Sequence, residues 1–117
     1  MDLITIAKNI EKKISEIDKI KSTIKERGEK KALMSANYEK QLSIVMIRLK
    51  NGIDYTVDGQ IVSNPPATII EKIARGICFQ ERLNMEESEA LYKSAIINLE
   101  ATMAQMNALQ SLSKYLE

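Results

Sequence analysis

The stretch LITIAKNIEKKISEIDKIKSTI, residues 3–24, returns an aliphatic side chain every seven residues, at Leu3, Ile10, Ile17 and Ile24. Ile6 and Ile20 occupy the complementary positions; only Lys13 interrupts the set, and Ile14 beside it compensates in part. A 3-4 alternation of this kind aligns apolar side chains along one seam of a helix, where a partner helix buries them. The positions between are Lys, Glu, Ser and Asp, as a solvated face requires. A lone helix with so narrow a stripe is marginal in water, so the seam calls for a partner.

The stripe loses its phase at Arg27-Gly28-Glu29-Lys30-Lys31, because extending the heptad puts Arg27, Lys31, Gln41 and Arg48 on the seam. Glycine weakens a helix interior by about 1 kcal/mol relative to alanine, so a turn or kink is expected at Gly28. A second helical pattern starts near Ala32, with Tyr38, Leu42, Val45 and Leu49 on one face. Residues 3–50 therefore read as a helical hairpin or as one kinked helix.

Asn51-Gly52 suits a left-handed helix cap. Residues 53–62 follow as a β-hairpin, with Asp58-Gly59 between two β-prone runs. A two-stranded hairpin is barely stable alone, so its apolar face (Ile53, Tyr55, Val57) is expected to rest on helices or on another subunit. Asn64-Pro65-Pro66 then offers a cap and a proline-favoured entry to a helix over 65–82. Asn84, with Glu87 three residues later, suggests a capping box opening a last helix over 85–116. That helix presents a broad apolar face that includes Leu99, Met103, Met106 and Leu109. Its length of about 48 Å exceeds what a compact chain of this size covers, with a radius of gyration of about 13 Å. The expected fold is a single mainly α domain over 1–117, an antiparallel long-helix bundle or coiled coil with one small β-hairpin. Self-association into a dimer or larger oligomer would cover the remaining apolar surface.

Composition sets the outer limits. With 44% hydrophobic and 28% charged residues, the chain is not compositionally disordered. The net charge is +1, divided as +3 over residues 1–58 and −2 over 59–117, far from the basic excess of a dedicated duplex-DNA binder. The lysines from Lys8 to Lys31 are interleaved with Glu11, Glu16, Asp18, Glu26 and Glu29, the pattern of an ordinary solvated face. Nucleic acid is thus a partner the chain admits and does not favour. One cysteine, Cys78, forms no intramolecular disulfide and fits a reducing cytoplasm. No apolar run approaches the roughly 20 residues that span a bilayer, so no membrane role is expected.

The chain holds no histidine, which removes the commonest general base and the commonest metal ligand. One cysteine builds no structural zinc site, and the four glycines are scattered rather than gathered into a phosphate loop. No catalytic residue, metal or cofactor is expected, and the chain reads as a binding protein rather than an enzyme. The most distinctive stretch is residues 71–82, where Lys72, Arg75 and Arg82 share a helical face beside Gly76. One reading is an anion pocket for a phosphate or an acidic side chain, with Gly76 admitting a close approach and Tyr92 joining it. In the competing reading, which the frequency of surface ion pairs favours, the arginines pair with Glu71, Glu81 and their neighbours, and Gly76 relieves helix crowding. Cys78 reads as a small buried hydrophobe.

From Asn64-Pro65-Pro66-Ala67-Thr68-Ile69-Ile70-Glu71-Lys72-Ile73-Ala74 through Ala108-Leu109-Gln110-Ser111, the second half resembles small helical accessory proteins of temperate phages of low-GC Gram-positive bacteria. The resemblance implies an early phage protein working in the host cytoplasm. It implies, first, an inhibitor of a host defence system that docks on a host protein or sequesters a nucleotide signal. A recombination or replication factor acting on single-stranded DNA or a recombination protein is the second option. The long helices by themselves admit a third, a structural scaffold for a larger assembly.

Overall fold

The computed structural model describes residues 2–117. In chain order it contains α1 (Leu3–Lys50), β1 (Tyr55–Val57), β2 (Gln60–Val62), a short 3-10 helix (Ala67–Ile69), α2 (Ile70–Ile77) and α3 (Phe79–Leu116). The mainly α class with a long helix pair and one small hairpin is as expected. The contacts gather into two compact units, Met1–Glu29 with Ala90–Glu117, and Lys30–Glu89.

The first unit is an antiparallel helix pair, and it supplies the partner that the isoleucine seam calls for. Lys13 donates to Gln105 Oε1 at 2.7 Å and Arg27 Nη1 donates to the Leu91 carbonyl at 2.9 Å, so rising numbers in α1 meet falling numbers in α3. Ile6 is wholly buried and Ile17 nearly so, while Ile10, Ile20 and Ile24 are half-buried. From α3, Tyr92, Ala95, Leu99, Thr102, Met106 and Leu109 turn inward at the same 3-4 spacing. The most buried of them, Ala95 and Thr102, are small, which gives the isoleucines of α1 holes to fill. The face of α3 is therefore a heptad seam and not the broad apolar band expected. Thr102, seven residues from both Ala95 and Leu109, takes the inward position and leaves Met103 exposed on the flank. Leu3 is exposed too, since only the end of α3 lies opposite the first turn of α1.

Gly28 marks no turn: α1 runs unbroken through it, and no helical hairpin forms over 3–50. A Cβ built on Gly28 would lie 3.3 Å from Cε2 of Tyr92, so the glycine is a notch that seats the tyrosine ring. Packing against the facing helix thus outweighs the intrinsic helix penalty. Arg27 stays on the seam half-buried, with its guanidinium donating to a carbonyl of α3. At the start of α1, the Asp2 carboxylate accepts the Thr5 N–H at 2.7 Å. That amide bond, with the Thr5 hydroxyl next in size, holds the Asp2 carboxyl below its ordinary pKa.

The second unit is built on residues 30–50 of α1. Tyr38, Val45, Leu49, Ile70, Ala74 and Cys78 form its buried core, with Leu42, Met46, Tyr55, Val62, Ile73 and Met85 packed around them. α1 ends in a Schellman cap: Ile53 N–H donates to the Arg48 carbonyl at 3.0 Å and Gly52 N–H to the Leu49 carbonyl at 3.2 Å, with Gly52 at φ +79°. Ile53 is consumed by this cap and is exposed, so it does not belong to the hairpin's inner face. β1 and β2 pair antiparallel, Tyr55 opposite Val62 and Val57 opposite Gln60. Asp58 and Gly59 both take positive φ (48° and 77°), as a tight two-residue hairpin turn demands.

Asn64 also sits at positive φ and caps nothing; the 3-10 helix starts at Pro66 without a side-chain cap. Beyond it, Ile70, Ala74 and Cys78 turn inward one helical turn apart. The helix break falls at Cys78 (φ −90°, ψ 25°) rather than before Met85. Asn84 lies inside α3, where its side chain accepts from Gln80 at 3.0 Å, so the expected capping box is not formed. Across the break the backbone bonding continues, with Arg82 N–H donating to the Cys78 carbonyl at 3.1 Å.

Candidate functional site

Because Ile70, Ala74 and Cys78 anchor α2 in the core of the second unit, the opposite face of the same turns stands in solvent. Lys72, Gly76, Phe79, Leu83 and Glu86 fall on that face at alternating spacings of four and three, with Arg75 and Arg82 beside them. Together they line an open groove of about 490 Å³. Four of the five expected ligand residues, Lys72, Arg75, Gly76 and Arg82, are thus brought into one place. Tyr92 is not: it belongs to the first unit, where its ring packs on Gly28.

Phe79, 64% exposed, lines the groove one turn from Leu83, which is exposed as well. Burying a phenylalanine side chain is worth about 1.5–3 kcal/mol, so a free Phe79 is a large unspent gain for whatever covers it. The cations around it are differently engaged. Arg75 pairs with Glu71 at 2.7 Å and Arg82 with Glu86 at 3.1 Å, each one helical turn away. All four side chains are more than half exposed, where such pairs contribute about 0.3–0.5 kcal/mol. They are therefore cheap to exchange for a carboxylate brought by a partner. Glu81, expected as a pairing acid, is instead the carboxylate near Cys78. Burial pushes the Cys78 thiol up, and the Glu81 charge adds to the shift.

Gly76 does not relieve crowding, as the competing reading of this stretch had it: a Cβ there would meet nothing within 4 Å. On its other side the same glycine lines a second groove of about 370 Å³, with Val57, Asp58, Gln60 and Val62 of the hairpin and Ile73 and Ile77 of α2.

The sequence reading passed over Phe79, Leu83 and Glu86 as site residues. Their signal was the spacing itself, since continuing the Lys72–Gly76 face through Cys78 in steps of three and four lands on all three. Among the described residues, no group of three or more His, Cys, Asp or Glu side chains is placed to hold a metal ion. Among the described residues no helix is long and apolar enough to cross a membrane. No family model, curated protein or solved structure matches the chain.

Proposed function

We propose that the chain is a non-enzymatic binding protein that docks on a partner protein through the Phe79 groove. In the phage setting that its second half resembles, the partner is a component of a host defence system in the host cytoplasm. The observation that carries the reading is Phe79 itself, exposed beside Leu83 in a groove that Lys72, Arg75 and Arg82 also line. Exposed apolar surface rimmed by charge is characteristic of interaction sites, and aromatic and arginine side chains dominate the centres of interfaces.

Docking is favoured over sequestration of a nucleotide. Small-molecule sites bury about 70–90% of their ligand, whereas this groove is open and its side walls are exposed. Tyr92, the aromatic that would have stacked a base, is engaged with Gly28 in the other unit. Self-association belongs to the same proposal, motivated by exposed Ile4, Ile97 and Tyr115 in the first unit. Light scattering checks it against the 13.2 kDa chain mass.

A photo-crosslinking residue placed at position 79 of the full chain, with position 25 as control, tests the docking surface in host lysate. The expected result is a discrete adduct from position 79 that Arg75→Glu and Arg82→Glu abolish and Lys25→Glu leaves intact. An adduct indifferent to the groove variants, or the same adduct from position 25, would overturn the reading. Calorimetry with cyclic and linear nucleotides is expected to show no heat of binding; a saturable signal lost in Lys72→Ala would return sequestration to the first place.

A further inference from the structure

Glycine is disfavoured inside a helix relative to alanine, so a helical glycine calls for a reason within or outside the chain. Gly76 has none within. Its φ is not positive, unlike those of Gly52 and Gly59, and the space above its α-carbon is open. What the missing Cβ does is lower the wall between two grooves that Gly76 lines from either side. We infer that the two grooves form one track for an extended segment of the partner protein, acidic at one end and branched-aliphatic at the other, whose backbone crosses Gly76. This rests on the docking function proposed above and specifies what the partner presents.

The two ends differ in chemistry. On the Phe79 side, Lys72 has no carboxylate partner among the described residues, and Arg75 and Arg82 hold only weak, exposed ion pairs. One or two acidic side chains satisfy that end. On the hairpin side the walls are Val57, Val62, Ile73 and Ile77, which suit valine, leucine or isoleucine. Gln60 and Asp58 stand beside them, able to meet the backbone of an extended segment. A side chain at position 76 would stand between the two ends, where the segment's backbone must come close.

The same features disfavour a nucleic-acid strand. Tight phosphate binding draws on many free cations along the track. Here the cations are three, Lys72, Arg75 and Arg82, all at one end, and Asp58 places a negative charge in the second groove.

The test uses the full chain and fluorescein-labelled peptides of about nine residues, roughly 30 Å when extended, read by fluorescence anisotropy. One pair of peptides joins an Asp/Glu-rich half to a Val/Leu/Ile-rich half, in both orders. Two controls replace either half with serine and glycine. A two-part peptide is expected to bind at least tenfold tighter than either control. Gly76→Ala is expected to weaken the two-part peptide about tenfold, to weaken the acidic control by a smaller factor and to raise the melting temperature. If Gly76→Ala binds the two-part peptide like the wild type, or that peptide gains nothing over the acidic control, the track is overturned while the Phe79 groove stands. Absence of any peptide binding, with the position-79 adduct also absent, would remove the docking function itself. Preference for a single-stranded oligonucleotide of matched length over every peptide would overturn the assignment to a peptide.

Discussion

Gly28 and Gly76 both lie inside helices, so one substitution made at each separates intrinsic propensity from packing. Glycine to alanine gains about 1 kcal/mol of helix stability when nothing opposes the new methyl. At Gly76 nothing does, since no atom lies within 4 Å of the Cβ position, and the full gain is expected. With a urea slope of about 1–3 kcal/mol per molar, the unfolding midpoint should rise by about 0.3–1 M. At Gly28 the methyl would lie 3.3 Å from Cε2 of Tyr92, so the ring must give way and part of the gain is lost. Leucine at position 28 drives further into the ring. Overpacking of about 1–3 kcal/mol then offsets the helix gain, leaving a net loss of up to about 2 kcal/mol. Urea titrations followed by circular dichroism should therefore rank Gly76→Ala above wild type, Gly28→Ala below Gly76→Ala, and Gly28→Leu lowest. Combining Gly28→Leu with Tyr92→Ala should recover part of the loss, because the two positions share one contact. A Gly28→Leu midpoint above wild type would refute the notch. A Gly76→Ala midpoint below wild type would refute the open space above α2.

Three further outcomes follow from the packing and the titrations. Leu49, 2% exposed in the core of the second unit, should cost about 2–5 kcal/mol when cut to alanine, measured by the same titration. Cys78, whose thiol is pushed up by burial and by the Glu81 charge, should resist a thiol-reactive dye at neutral pH until denaturant exposes it. The Asp2 carboxyl is held low by the Thr5 amide, so its stabilisation of the helix end is present above the unfolded pKa and fades as pH falls through the folded one. An NMR titration should place its midpoint below that of an unstructured aspartate, and Asp2→Ala should fray the first turn of α1 at neutral pH.

The helical class and the hairpin could be read before any coordinates. The isoleucine heptad and Asp58-Gly59 are local signals, and nothing in the tertiary structure contradicts them. What escaped was the continuation of the heptad. Tyr38 and Val45 fall on the same seven-residue register as Ile10, Ile17 and Ile24. Lys31 on that register and Arg27 on the complementary one, with Ile6 and Ile20, suggested a turn because a sequence does not show that the Arg27 guanidinium finds the Leu91 carbonyl on another helix. Gly28 misled for the same reason, since its partner, Tyr92, is distant along the chain. Asn84 looked like a cap, yet the break falls at Cys78, whose place is set by core packing with no local marker. At the candidate site the cations were legible as a spacing. Phe79 was not, because an aromatic beside apolar neighbours reads as core until the inward face of α2 is known to be Ile70, Ala74 and Cys78.

The claim that residues 72–86 form the docking surface is tested most directly by amide NMR of the full chain titrated with the two-part acidic-aliphatic peptide. Saturable shifts are expected at Lys72, Arg75, Gly76, Phe79, Arg82 and Leu83, and at Val57, Gln60 and Val62 of the hairpin. Shifts confined to the lysine-bearing face of residues 8–31 or to residues 90–116, with 72–86 silent, would contradict it.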